Sequence, residues 1–304
     1  LSFTGLTSGD KLSFARLAYQ LPVGSNGLRV GAAYFDTRYR LGKEFAALGA
    51  HGSARSASVY ASYPFLRSQL ANLSGTAAYE DKRLHDDVDS TATATGKKLG
   101  VTSLGLAGNL QDALGGGGIS NFDLSVALGK LRIESAGALA IDAASAQSNG
   151  SYTRISYAAS RLQSLTDAMQ LAVSVNGQQA SKNLDSSEKF SLGGVNGVRA
   201  YPQSEATGDQ GYKATIELRR SLTPNLQGTV FYDFGSVKIN KNPYGPAAPN
   251  NRSLGGAGFG VNASVKAVQL RASMAWRTQG GAPTSVPASA DHRPTVWLQA
   301  SVAF

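Results

Sequence analysis

Hydrophobic and polar residues alternate with a period of two along almost the whole chain, and stretches with a helical period are nearly absent. Val268, Leu270 and Met274, for example, alternate with Gln269 and Arg271. Successive side chains of a β-strand point to opposite faces of a sheet, so this pattern predicts strands. About fourteen are predicted, at residues 2–8, 11–21, 28–40, 53–63, 71–83, 97–111, 117–129, 151–163, 168–178, 211–220, 226–239, 256–266, 268–277 and 295–304.

The links between the predicted strands are alternately short and long, apart from a brief first link at 8–10. Short links lie near 22–27, 65–70, 112–116, 164–167, 222–225 and 266–267, and long ones near 41–52, 86–96, 130–150, 181–210, 240–251 and 279–294. Short turns on one rim and long loops on the other are typical of outer-membrane barrels, whereas a soluble sandwich has no reason to segregate them. The predicted fold class is all-β: a transmembrane antiparallel up-and-down β-barrel formed by residues 1–304.

Composition supports this interpretation. Of the 304 residues, 42% are hydrophobic and only 16% are charged, and no apolar stretch is long enough for a membrane-spanning helix. The net charge of +9 comes from scattered basic residues, which favours a cationic barrel interior over a nucleic-acid surface. The chain has no cysteine, so thiolate chemistry and Cys-based metal sites are excluded.

No group of residues indicates an enzyme, a metal site or a cofactor. The three histidines, His51, His85 and His292, fall in or beside predicted long loops without clustered ligands. An acidic group lacks the spacing of a calcium loop and reads as a hydrated strand end; it comprises Glu80, Asp81, Asp86, Asp87 and Asp89. We therefore predict a protein that is not an enzyme, with no catalytic residues and no cofactor.

The last predicted strand ends in an aromatic residue, Phe304. This ending resembles the C-terminal insertion signal of bacterial outer-membrane proteins, which the barrel-assembly machinery reads. The resemblance implies that Phe304 lies at the periplasmic end. The short turns would then be periplasmic and the long loops extracellular.

The longest link, 181–210, contains the run FSLGGVNGVRAYPQSEATGDQG. Its glycines indicate a tightly folded backbone, but no phosphate-binding Gly-Lys-Ser/Thr follows them. The run resembles the hallmark loop of two-partner secretion transporters, the ShlB/FhaC/HecB haemolysin secretion/activation family, which shares a superfamily with BamA. The residues that carry the resemblance are Phe190, Gly193, Gly194, Gly197, Val198, Arg199, Tyr201 and Pro202.

A second family motif, F-x-D-x-G, is matched by Phe231, Asp233 and Gly235. Alternation places Val230 and Tyr232 on the membrane face, so the three motif residues should point into the lumen. The resemblance implies that the loop folds back into the barrel and that Arg199 pairs with Asp233. Because a pore lumen is expected to be wet, we expect this pair to be screened by solvent.

The resemblance covers essentially the whole chain, with two departures. Ala200 stands where many relatives have glycine, which makes the local backbone less permissive. Family members also have sixteen strands, preceded by two POTRA domains and a plug helix. Since this chain begins in mid-pattern at Leu1, we expect the missing parts to lie upstream and the barrel to have open edges.

The resemblance implies an outer-membrane pore that translocates one large partner exoprotein, such as an adhesin, a haemolysin or a contact-dependent toxin. Its expected partners are this exoprotein, outer-membrane lipid and the barrel-assembly machinery, with no nucleic acid. One alternative is a BamA-like factor that inserts other outer-membrane proteins. Another is a passive porin, which would not need an arginine-bearing inward loop.

Overall fold

The structure is a computed structural model that describes residues 1–8, 12–40, 49–246 and 249–302. Fourteen antiparallel strands form one sheet in which each strand pairs with its neighbours in sequence. These strands are β1 (Ser2–Thr7), β2 (Leu12–Val23), β3 (Leu28–Arg40), β4 (Ala50–Arg67), β5 (Ala71–Val88), β6 (Thr93–Asp112), β7 (Gly118–Ile133), β8 (Gly150–Thr166), β9 (Met169–Ala180), β12 (Gln210–Thr223), β13 (Leu226–Lys238), β14 (Asn251–Val265), β15 (Val268–Gln279) and β16 (Thr295–Val302). The predicted up-and-down order is confirmed.

The remaining elements are short and lie in the links. Two-residue strands β10 (Phe190–Ser191) and β11 (Thr207–Gly208) pair with each other inside the longest link. Within the ranges that the structure describes there is one α-helix, α1 (Ala136–Ala143), which lies in the predicted loop 130–150. Single turns of 3-10 helix occupy Asp89–Thr91, Leu114–Gly116, Ser186–Glu188 and Ala288–Ala290. None of the helices in the described residues has the length and apolar content needed to cross a membrane.

The strands are longer than predicted at the end of the sheet that carries the long links. The prediction of a long link at 86–96 is wrong, because β5 continues to Val88 and β6 begins at Thr93. The side chains of these extensions are largely polar, so the apolar alternation used to find strands fades while the backbone ladder continues. Parts of three other predicted links, 9–10, 41–48 and 247–248, lie outside the described residues, as do residue 11 and Phe304.

The two faces of the sheet differ as the alternation predicts. Val230 and Tyr232 are exposed on what we call the outer face, whereas Phe231 and Asp233 are buried on the inner face. Large apolar side chains cover the outer face of most strands, including Val59, Leu104, Val126, Val173, Ile216, Phe259 and Leu298. A band of exposed apolar residues of this extent is typical of a surface that contacts lipid.

Buried residues form two clusters, both on the inner face. One contains Leu99, Leu131 and Tyr152 of β6–β8 together with Leu184 of the longest link. The other contains Leu192 and Tyr201 of the same link with residues of β13–β15. The core of the molecule is therefore built where the longest link packs against the wall.

The sheet begins at β1 and ends at β16, and in the described part of the chain no ladder joins these two strands. Each therefore has a single neighbour, β2 for β1 and β15 for β16. This agrees with the expectation of open edges. An edge strand leaves a row of backbone hydrogen-bonding groups without a strand partner.

We expect arginine at Val173, on the outer face, to destabilise the membrane-inserted protein by about 2–4 kcal/mol, because its charge would face hydrocarbon. Arginine at the adjacent Ser174, which shares the inner face with Thr215, should cost far less. The measurement is urea-induced unfolding of both variants in lipid vesicles. Equal destabilisation by the two variants would contradict the assignment of faces.

Candidate functional site

The link between β9 and β12, residues 181–209, folds against the inner face of the sheet, and we call it the inner loop. Its tip is a tight turn in which the Val198 N–H donates to the Leu192 carbonyl at 2.8 Å. A Cβ atom at Gly197 would collide with that carbonyl, and Gly194 adopts a φ of +115°. Two of the glycines singled out in the sequence are therefore required by the backbone path of the loop.

Arg199 projects from this turn onto Asp233 of β13, so the predicted contact is present. Its Nε and Nη2 atoms each donate to the Asp233 carboxylate at 2.8 Å, and its backbone N–H donates to the same group at 3.1 Å. The guanidinium also lies over the Phe231 ring, with its central carbon 3.2 Å from the ring centroid. Both motifs identified in the sequence thus meet at one point.

Two features of this pair differ from the expectation. Asp233 has no solvent exposure and the Arg199 side chain retains 14%, so the expected wet, screened pair is wrong. Arg199 also has a second carboxylate partner, since its Nη1 donates to Glu217 of β12 at 2.8 Å. Thr215 completes the set by donating to Asp233 at 2.8 Å. Breaking a buried pair of this kind costs far more than breaking an exposed one.

The wall beside Arg199 is flat enough for the loop backbone to reach it. An added Cβ at Gly256 of β14 would lie 2.5 Å from the Ala200 Cβ. Ala200 is fully buried and its φ is not positive, so alanine is accommodated here without backbone strain. Its carbonyl accepts hydrogen bonds from Arg277 of β15 and Thr295 of β16. The tip therefore contacts every strand from β12 to β16.

Glu205 ties the loop to the link between β15 and β16. Its fully buried carboxylate accepts hydrogen bonds from the backbone N–H groups of Thr284 and Ser285 and pairs with Arg252 at 2.5 Å. Burial acts to raise the pKa of Glu205, but the hydrogen bonds from Ser285 and Thr284 and the Arg252 charge outweigh it, and the pKa is lowered. The carboxylate is thus held in its charged form.

A second group of ion pairs holds the start of the inner loop to the opposite part of the sheet. Buried Glu188 pairs with Lys82 of β5 and Arg154 of β8, each at 2.8 Å. Asp185 pairs with Lys97 of β6 at 2.7 Å. The loop is therefore anchored to β5–β8 at its start and to β12–β16 at its tip, and it bridges the two parts of the inner face.

The structure places the remaining predicted motif residues within the same assembly. Phe190 packs against the buried cluster that contains Leu192 and Tyr201, and the centroid of its ring lies 5.4 Å from Lys213 Nζ. The Tyr201 hydroxyl donates to the carbonyls of Gln279 and Gly281. Pro202 accepts from the Glu205 N–H at 3.3 Å, and Gly193 bonds to the Glu205 carbonyl at 3.0 Å. An added Cβ at Gly235 would lie 2.8 Å from the Leu192 side chain.

The sequence prediction missed the residues that surround the motif. Glu217 could have been found, because it alternates inward with Thr215 and Arg219 on a strand of known phase. The pairs of Glu188 with Lys82 and of Asp185 with Lys97 could not, because these residues lie 106 and 88 positions apart in the sequence. In the described ranges no group of three or more His, Cys, Asp or Glu residues is arranged to hold a metal ion.

A family profile described as haemolysin secretion/activation protein ShlB/FhaC/HecB matches residues 9–263. The chain belongs to this family. Curated relatives of the chain include proteins named heme/hemopexin transporter protein HuxB from Haemophilus influenzae. The relative from strain 86-028NP is 27% identical over 262 residues, covering 83% of this chain and 46% of the relative. The relative from strain Rd KW20 is 28% identical over 240 residues, covering 76% of this chain and 41% of the relative.

This family member thus spans about half the length of the curated relatives that it matches. Among solved structures, CdiB from Escherichia coli superposes with a TM-score of 0.76 at 18% identity, covering 96% of this chain and 53% of that one. BamA from Haemophilus ducreyi lacking POTRA domains 1–3 gives 0.61 at 13% identity, covering 95% and 61%. These similarities support the outer-membrane β-barrel fold.

We expect Arg199→Ala to weaken the folded state by about 3–5 kcal/mol, since it leaves Asp233 buried without its partner. The double variant with Asp233→Ala should cost less than the sum of the two single variants, because both remove the same contact. Chemical denaturation in detergent measures these costs, with the exposed Arg220→Ala as control. Strict additivity would show that the two residues do not act as a unit.

Charge reversal at both positions should not restore stability, because Arg199→Asp places a carboxylate against Glu217.

The lowered pKa of Glu205 predicts how loop docking responds to acid. A depressed pKa contributes stability above the ordinary value of 4.5, and this contribution is lost as pH falls through the lower folded-state value. A dye on Ser204→Cys, the sole cysteine, should therefore stay immobile as pH falls from neutrality through 4.5 and become mobile below it. Fluorescence anisotropy measures this. Glu205→Gln should remove the acid-dependent step, and release above pH 4.5 in the parent protein would contradict the assignment.

Proposed function

We propose that this protein is an outer-membrane pore that translocates a large partner exoprotein to the cell surface by two-partner secretion. Family membership over most of the chain supports the class of transporter. The single observation that carries the proposal is the position of the inner loop, whose Arg199 forms a buried ion pair with Asp233 on the inner face of the sheet. A loop bound in this way lies where a translocating chain would pass.

In this proposal residues 1–304 form the barrel translocator domain. The short turns face the periplasm, the long links face the outside, and the inner loop enters from the extracellular rim. Phe304 serves as the insertion signal for the barrel-assembly machinery. The exoprotein crosses unfolded and without nucleotide, and its folding outside draws it through; no catalytic step is involved.

The inner wall suits such a substrate. Lys82, Lys97 and Arg154 of the inner face are held by carboxylates of the loop, and Arg199 of the loop is held by carboxylates of the wall. Movement of the loop would free these charges together. The resulting surface would be polar on both sides of the path and would not retain an unfolded chain through apolar contacts.

The names of relatives suggest partner classes. Because the HuxB relatives are named heme/hemopexin transporters, an exoprotein that acts on heme or hemopexin is one candidate. An adhesin, a haemolysin or a contact-dependent toxin remains the wider class. A BamA-like assembly role is the second candidate function, favoured by the BamA superposition over 95% of this chain.

Deleting the gene for the full-length protein should remove one large protein from the culture medium and the cell surface. The parent gene should restore it, and Arg199→Ala should restore it poorly while the barrel still reaches the outer membrane. Quantitative proteomics of medium and outer membrane measures both. Unchanged secretion with a general fall in other outer-membrane proteins would favour assembly, and an effect on small-solute uptake alone would favour a porin.

A further inference from the structure

The outer face carries a row of cations on β4–β7, toward the end of the sheet where α1 lies. Register aligns Arg55 of β4 with Arg83 of β5, Arg83 with Lys98 of β6, and Lys98 with Arg132 of β7. We call these four residues the basic row. Arg55, Arg83 and Arg132 are exposed and Lys98 is half-buried, and each lies directly opposite the next on a neighbouring strand.

Placing like charges opposite one another in a sheet is unfavourable, and nearby carboxylates offset this only in part. Arg55 pairs with Asp36 at 2.9 Å, and Lys98 pairs with Glu134 at 2.7 Å. Arg83 lies 3.6 Å from Asp81.

Arg132 and its neighbour Lys130 have no ion-pair partner among the described residues, and Arg38 adds a further exposed cation that shares Asp36. The patch thus has six cations, Arg38, Arg55, Arg83, Lys98, Lys130 and Arg132, against three carboxylates, Asp36, Asp81 and Glu134. It is therefore suited to an anionic ligand.

The basic row is separated from the apolar band by one register row, which contains Asp81 and Lys130. Two register rows away, Val59, Tyr79 and Leu128 are exposed on the same face, and beyond them follow Leu104 and Val126. A groove of about 640 Å³ joins the two regions. It is lined by Tyr79, Thr102 and Leu128 on one side and by Lys98, Lys130 and Arg132 on the other, with Asp81, which lies beside Arg83, between them.

Among the other residues that the structure describes, the outer face has no equivalent patch. At the same end of β8–β16 the outward positions are largely uncharged, such as Ser151, Gln179, Ser236 and Ser253, and Lys238 is an isolated cation. The patch is therefore confined to one side of the sheet. It is not a general property of the rim.

We propose that the basic row and its groove bind the phosphate groups of lipopolysaccharide, the phosphorylated glycolipid of the outer leaflet, while its acyl chains lie along the apolar band. This inference rests on the proposed orientation, in which the long links are extracellular. Phosphate oxygens pair well with guanidinium and ammonium groups, and the apolar band below matches acyl chains. An acidic segment of the exoprotein is disfavoured as occupant, because the row faces away from the lumen and lies close to the lipid-facing band.

The test uses the full-length protein in detergent and native mass spectrometry. Bis-phosphorylated lipid A is compared with dephosphorylated lipid A, inorganic pyrophosphate and a poly-glutamate peptide. The triple variant Arg83→Gln, Lys98→Gln, Arg132→Gln should lose about tenfold or more in affinity for phosphorylated lipid A, since each cation contributes at a membrane surface. A matched triple variant, Arg67→Gln, Arg220→Gln, Lys238→Gln, removes the same charge elsewhere and should bind as the parent does.

The proposal predicts that neither pyrophosphate nor the peptide displaces the lipid at equal concentration. Equal binding of both forms of lipid A, or equal losses in the two triple variants, would overturn it. Displacement by poly-glutamate would assign the patch to an acidic protein segment instead. Loss of fold is checked by urea unfolding, in which the basic-row variant should be no less stable than the matched variant, because it relieves repulsion.

Orientation is tested separately by Ala140→Cys at an exposed position of α1, which an impermeant maleimide should label on intact cells. Absence of labelling in a folded variant would overturn the orientation and the lipid site together. Labelling without selective lipid binding would overturn the lipid site alone. Secretion of the exoprotein by the parent is a third, independent measurement, so failure of the proposed function is distinguishable from failure of this inference.

Discussion

A carboxylate without access to solvent determines how the interior of this barrel is organised. Asp233 accepts four hydrogen bonds, three from Arg199 and one from Thr215, which uses the full acceptor capacity of the group. A buried charge in a wall strand is tolerable only when a cation comes to it. The position of the inner loop follows from this requirement, because the arginine reaches the wall only if the loop turns inward.

The rest of the loop adapts the chain to that one contact. Glycines in the turn allow Arg199 to be presented by both its side chain and its backbone N–H. The wall opposite is built with little side-chain volume at Gly235 and Gly256, so the loop tip packs closely against it. Aromatic and aliphatic residues then seal the pair from water: Phe231 lies against the guanidinium, and Trp297 of β16 donates to the Arg199 carbonyl at 2.8 Å. A small number of contacts therefore fixes this loop to the wall.

The sequence was sufficient for the fold because period-two alternation is a local signal that each strand carries by itself. It also predicted which side of β13 faces inward, and therefore that Asp233 is available to the loop. The prediction of strand ends failed where the side chains are largely polar, as in the extensions of β5 and β6. Hydrogen bonds between strands need no hydrophobic residue, so the strands continue there. Sequence prediction also failed for contacts between the inner loop and strands distant in sequence, such as Glu188 with Lys82. Burial of the Arg199 pair was misjudged for the same reason, because the residues that exclude water come from five strands.

The close approach of Ala200 to Gly256 means that these two positions share the space of a single methyl group. In this chain the loop residue, Ala200, carries the methyl group, and the wall residue, Gly256, has only a hydrogen atom there. The two sites are therefore not free to vary independently during evolution. A family member with glycine in the loop has room for a methyl on the wall, and a chain that acquired both would have to displace the loop tip from its carboxylate. A volume constraint between one loop residue and one strand residue thus ties the evolution of the pore lining to that of the loop inside it.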